Sequence, residues 1–168
     1  MLLYTDIITG DELFSDAYDV TQVPGAFEVD CQMITIGAVD VDTGANQSAE
    51  EVEEALDDSA ETVNNLVYSF RLTQTSFDKK SYMSYIKGYM KDLEAKLKEL
   101  NKPEEEIAEF KKNAAVLVKK ILGGFKDYEF YIGEKMDPSG MVALLNYRED
   151  GVTPYFTFFK DGVKEQKL

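Results

Sequence analysis

Lysine is the side chain whose placement in this sequence points to a chemistry. Residues 1 to 70 contain 16 Asp or Glu and no Lys or Arg, whereas the stretch from Lys79 to Lys126 holds 12 lysines against seven acids. Lys79, Lys80, Lys87, Lys91, Lys96 and Lys98 fall in one run of helical periodicity. Lys111, Lys112, Lys119 and Lys120 fall in a second. An ammonium on a flexible stem is a compact point charge, and ten of them on two adjacent helices, set against a formal net charge of −14 for the whole chain, suit electrostatic capture of an acidic partner. An acidic protein surface, an RNA edge or an anionic membrane surface each satisfies that pattern, and a merely solvated lysine face is the plain alternative. Contacts of this kind weaken with salt, because exposed charges are screened beyond roughly 8–10 Å.

Other reactive residue types mostly exclude. The chain has no histidine, which removes Ser-His-Asp and Cys-His nucleophiles and the commonest general base near neutral pH. No short motif pairs two acids with a substrate-binding signature, so a non-enzymatic role is expected. The single cysteine, Cys31, has no second cysteine or histidine with which to build a disulfide or zinc site, and nothing basic near it in sequence to activate it. It reads as a small buried hydrophobe in a reducing cytoplasm. Asp40, Asp42, Asn46, Ser48 and Glu51 imitate the spacing of an EF-hand loop, but Gly44 and Ala45 stand where that loop needs an oxygen ligand and its glycine. The segment 40–58 is expected to be a flexible acidic loop, with a short helical turn at Ala49 to Leu56, able to hold calcium only weakly and with no cofactor tightly bound.

The lysines need elements to position them, and the apolar periodicity between Asp78 and Leu122 supplies two. Ile86, Met90, Leu93, Leu97 and Leu100 lie on one helical stripe; Ile107, Phe110, Ala114, Leu117 and Ile121 lie on another. Asn101-Lys102-Pro103 separates them, with proline tolerated at the first turn of the second helix. Asp78 is the expected N-cap, and Gly123-Gly124 the expected left-handed stop. In the second helix Glu104, Glu105, Glu106 and Glu109 come early and the lysines late, the order the helix dipole favours. The spacing therefore predicts a helical hairpin over 78–122.

Around it the sequence reads as β structure. Met1 to Thr5, Glu12 to Asp16 (with Leu13 and Phe14 in the core), Ala26 to Cys31 and Met33 to Val39 are strand candidates. Thr62 to Phe77 also reads as β, with Leu66, Tyr68, Phe70 and Leu72 on one face. Phe125 to Gly133, Met141 to Arg148 and Val152 to Lys160 follow, the last two joined by Glu149-Asp150-Gly151 as a hairpin loop. Tyr155, Phe156, Phe158 and Phe159 imply a strand covered on both sides. Lys160-Asp161-Gly162 is a final turn into a short polar end. The expected architecture is α+β, one domain of 168 residues: an antiparallel, partly barrel-like β body with the hairpin inserted. No apolar run approaches the ~20 residues of a membrane helix, and the opening MLLYTDIITGDE lacks the basic start of a signal peptide.

MLLYTDIITGDELFSDAY, TVNNLVYSFRLTQTSFDKKSYMSYIKGYM, FKDYEFYIGEKMDPSGMVALLNY and YREDGVTPYFTFFKDG together resemble the translationally controlled tumour protein family, in order and over nearly the whole chain. GANQSAEE resembles that family's acidic-loop signature. The resemblance implies a cytoplasmic, cytoskeleton-associated protein with a β body of β-tent type and a projecting helical hairpin. It implies association with tubulin and microtubules, with ribosomes and translation elongation factors, with calcium and with small GTPases, and neither DNA binding nor membrane insertion. Microtubule contacts are placed on the hairpin, where the lysines lie. The calcium contacts placed there would fall to scattered acids such as Asp92, Glu94 and Glu99. Glu12, in DELFSD, resembles the family's GTPase-facing glutamate. The fold is also similar to that of a small Rab-binding chaperone with a cysteine-built zinc site, which one cysteine cannot reproduce.

Overall fold

A computed structural model of the chain describes residues 1–36 and 61–167. The expected acidic loop at 40–58 and its EF-hand-like spacing lie outside the described residues. The described strands are β1 (Leu2–Asp6), β2 (Glu12–Ser15), β3 (Asp19–Val23), β4 (Ala26–Asp30), β5 (Met33–Ile36), β6 (Glu61–Asn64), β7 (Thr73–Thr75), β8 (Glu129–Ile132), β9 (Ala143–Tyr147), β10 (Pro154–Phe159) and β11 (Val163–Lys167). The helices are α1 (Asn65–Phe70), α2 (Lys79–Glu99) and α3 (Glu104–Gly123).

Among the described residues the strands form three open antiparallel sheets, β11-β1-β2, β3-β4-β10-β9-β8-β7 and β5-β6. The α+β class and the antiparallel body are as expected; among the described residues the sheets do not close into a barrel, since β3 and β7 remain edges of the six-stranded sheet. Strand β10 is its centre and is buried along its whole length, because Phe156 pairs with Val29 on one side and Leu145 on the other while both sheet faces are covered. Its Phe158 stacks on Phe14 at 4.6 Å, and Phe14 stacks in turn on Tyr4 at 4.4 Å, which bonds the three-stranded sheet to the six-stranded one through aromatic contact.

Strands β7 and β8 pair with each other, Gln74 opposite Tyr131, and the hairpin is the excursion between them. It lies along the body, where the resemblance implied a projection. Tyr89 packs on Phe159, Tyr82 on Phe130, and the Gly25 turn meets the backbone and Cβ of Asn113 so closely that an added Cβ would stand 2.8 Å away.

Three local expectations are also corrected. Asn65–Phe70 is helical, not extended: Asn64 caps it by accepting from the N–H groups of Leu66 (2.9 Å) and Val67 (3.2 Å). Gly123 belongs to α3, and Gly124 follows at φ −122°, so no left-handed residue stops that helix. The left-handed position is Asn101, φ 59°, just beyond α2. The polar end of the chain is β11, which pairs with β1 from Leu2 opposite Lys167 to Asp6 opposite Val163. Strand β3 had no apolar signature of its own, since Asp19, Thr21 and Gln22 are exposed; its pairing with β4 around the Gly25 turn makes it a strand.

Candidate functional site: the outer face of the helical hairpin

Asp78 starts α2 with a capping box, its carboxylate accepting from the Ser81 N–H at 2.7 Å while the Ser81 hydroxyl accepts from the Asp78 N–H at 3.0 Å. Hydrogen bonds from Ser81 hold the Asp78 carboxyl below its ordinary range. From that start, Tyr82, Ile86, Tyr89, Leu93 and Leu97 point inward and are buried. In α3 the five predicted stripe residues, Ile107, Phe110, Ala114, Leu117 and Ile121, are all buried. Of the predicted α2 stripe, Met90 is only half-buried and Leu100 is exposed, because α2 ends there.

The inward face is fastened by Tyr85. Its hydroxyl donates to the Gly140 carbonyl at 2.7 Å and accepts from the Val142 N–H at 3.0 Å. The neighbouring Met141 N–H donates to the buried Asp6 carboxylate at 2.8 Å. Hairpin, 133–142 segment and β1 are thereby joined. Sequence reasoning missed the tyrosines, although Tyr82, Tyr85 and Tyr89 step by three and four and carried the signal for a body-facing row.

Exclusion from that face puts the lysines outside: nine of the ten predicted side chains are exposed and Lys96 is half-buried. The structure brings four of them together. Lys87 and Lys91 of α2 face Lys111 and Lys119 of α3 across a groove of about 640 Å³. Met90, Val118 and Leu122, half-buried, line it above the buried Ile86, Phe110 and Ala114. The furrow stays open because Ala114 and Ala115 are too small to fill it. Glu94 is its one carboxylate, ion-paired across the helices with Lys111 and along α2 with Lys98 at 3.8 Å. The hydrogen bond from Lys111 is the main reason the Glu94 carboxyl is held low. Lys96 pairs with Glu99 at 3.9 Å. Lys79, Lys80, Lys112 and Lys120 lie elsewhere on the hairpin and do not line the groove. Sequence reasoning missed Val118 and Leu122 as surface-lining residues; their i, i+4 spacing next to two alanines was the available signal.

Glu12 stands apart from this cluster, exposed at the start of β2. Beneath it the Thr9–Asp11 turn is clamped to the 133–135 segment. The Lys135 N–H donates to the buried Asp11 carboxylate at 3.3 Å, and the Lys135 ammonium donates to the Thr9 carbonyl. Gly133 is obligatory at this contact, since a Cβ there would sit 2.3 Å from Asp11 Oδ2.

Cys31 is buried, its thiol donating to the Pro154 carbonyl at 3.4 Å and accepting from Asn64 Nδ2 at 3.1 Å. Burial pushes the thiol up to about 11, so it stays protonated and inert. Among the described residues no group of three or more Asp, Glu, His or Cys side chains gathers where it could hold a metal ion. Of the hairpin acids that the resemblance offers to calcium, Glu94 is paired with Lys111 and Lys98, Glu99 is paired with Lys96, and Asp92 is exposed. No described helix is long and apolar enough to cross a membrane.

Fold and site together define an α+β protein whose basic helical hairpin is inserted between two paired strands of an antiparallel body. The model of the translationally controlled tumour protein family matches residues 1–164, and the chain belongs to that family. It is 63% identical to the translationally-controlled tumor protein homolog of Schizosaccharomyces pombe and 62% identical to that of Candida albicans, all of each chain being covered. The solved structure of the Schizosaccharomyces pombe translationally controlled tumor-associated protein superposes with a TM-score of 0.83 at 62% identity, over all of both chains. The Caenorhabditis elegans protein superposes at 0.72 and 27%, over 100% of this chain and 99% of that one.

Proposed function

We propose that this chain is a non-enzymatic, cytoplasmic and cytoskeleton-associated interaction protein whose hairpin binds acidic surfaces, those of tubulin and microtubules and of ribosomes and translation elongation factors. One observation carries the reading. The lysines are confined to the outer face of a hairpin whose inner face is locked to the body, so the charge is presented on a rigid support. Seven of the ten, Lys79, Lys80, Lys87, Lys91, Lys112, Lys119 and Lys120, have no carboxylate within ion-pair distance among the described residues, and their charge is available to a partner. Calcium binding in this reading is weak and falls to the acids of 40–58. Purified tubulin should co-sediment with the wild type and be released as salt rises. A Lys87→Glu, Lys91→Glu, Lys119→Glu variant should lose it, and retained binding by a folded variant would sink the proposal.

A second reading, regulation of a small GTPase through the β body, is favoured by the Asp11–Lys135 clamp, which holds Glu12 outward on a rigid turn. It forecasts the opposite mutational map. Glu12→Val would weaken GTPase binding and leave tubulin binding unchanged, whereas lysine reversal would leave GTPase binding unchanged.

A further inference from the structure

Lysines alone would be served by a flat helical face, but four of them here surround an apolar furrow. We propose that the groove between α2 and α3 receives one side of an acidic amphipathic helix supplied by a partner protein. The proposal rests on the acidic-partner reading and specifies the partner's shape.

The floor and the rim ask for different halves of the same ligand. Met90, Val118 and Leu122 expose apolar surface at the furrow, surface that gains roughly 25 cal/mol per Å² when it leaves water. Lys87, Lys91 and Lys119 flank it with exposed ammonium groups. A carboxylate-rich helix with an apolar stripe meets both at once, the stripe in the furrow and the acids on the rim. The dimensions agree. Phe110 to Leu122 is 13 residues, about 18 Å of helix from first to last, whereas three anchors at i, i+4 and i+7 need only about 10.5 Å. The volume of about 640 Å³ takes several aliphatic side chains.

Other occupants fit less well. A second copy docked on the same groove by a two-fold axis would set lysine against lysine. A nucleic acid would find the ammonium groups but no aromatic platform on which to stack a base, since Phe110 is buried beneath the furrow. The Glu94–Lys111 pair bridges the helices at the end of the furrow nearer the hairpin tip, so an incoming carboxylate there must compete with Glu94 for Lys111.

The test uses the full chain and two labelled peptides of about 16 residues and identical composition. One carries leucine at i, i+4 and i+7 with glutamate on the remaining faces; the other is its scramble. Fluorescence anisotropy should show the amphipathic peptide binding at least about tenfold tighter. Val118→Glu, and the exposed Ala115→Glu in case the first variant is destabilised, should erase that preference while residual binding of the scramble changes far less. Reversal of Lys87, Lys91 and Lys119 should weaken both peptides. Equal affinity for the two peptides, both lost on lysine reversal, would overturn the groove and leave the acidic-partner reading standing. Binding indifferent to lysine reversal would overturn both. Self-association of the wild type abolished by Ala115→Glu would identify a second copy as occupant and overturn the proposal.

Discussion

The two faces of the helical hairpin are made from the same two helices and share almost no chemistry. Inward, Tyr82, Tyr85, Tyr89, Leu93 and Leu97 sit among phenylalanines and carry no charge. Outward, lysines stand around a shallow apolar furrow. Burying an unpaired ammonium would cost several kcal/mol, so the periodicity that makes the helices also sorts their charge. Fold and lysine chemistry are thus carried by separate side chains, although Ile86, Phe110 and Ala114 serve both the core and the floor of the furrow, so lysine variants should leave the fold alone.

The largest expected effect tests the inner face. Leu93 is fully buried, and Leu93→Ala should cost about 3 kcal/mol of unfolding free energy, read from a denaturant titration. Next come two tyrosines that look alike in sequence. Tyr85→Phe strands the Val142 N–H and the Gly140 carbonyl and should cost about 1–3 kcal/mol. Tyr89→Phe removes a buried hydroxyl with no hydrogen-bond partner among the described residues, so it should cost clearly less than Tyr85→Phe. Equal losses would break the account of how the hairpin is fastened. The outer face should contribute least: reversal of Lys87, Lys91 and Lys119 should change stability by no more than about 0.5 kcal/mol while removing the binding.

A last, small effect sharpens the boundary between hairpin and body. Burial, with further repulsion from Glu106 and Glu109, raises the Asp161 carboxyl, against the pull of Lys160 and Lys102. A raised folded-state value means the charged form costs stability: the favourable contribution is present below the unfolded value and is lost as pH rises through the folded one. Asp161→Asn should therefore raise the thermal midpoint slightly at about pH 7 and leave it unchanged at about pH 3. A fall at neutral pH would show that the charge is used.

How much of this was legible follows from the range of the interactions. The hairpin was readable because its stripes, its Asp78 cap and its early acids act within a few residues. Strand β11 was not, since its partner is the first strand of the chain and nothing local in Val163–Lys167 announces it. For α1, Leu66, Tyr68, Phe70 and Leu72 alternate as in a strand, yet Leu66, Val67 and Phe70 also sit at helical spacing. Capping by Asn64 and the exposure of Tyr68 and Ser69 show which period won. The lysines were legible as charge. Their convergence, four around a furrow and six elsewhere, was not, because it depends on how the two helices face each other.

If the outer lysines bind and the inner face holds, one experiment separates the two properties. The most direct measurement is the affinity of purified tubulin for the folded wild type and for the Lys87→Glu, Lys91→Glu, Lys119→Glu variant across a salt series. Affinity should fall steeply with salt in the wild type and be lost in the variant at unchanged thermal midpoint. The same affinity and the same salt dependence in both proteins would rule out binding through these lysines.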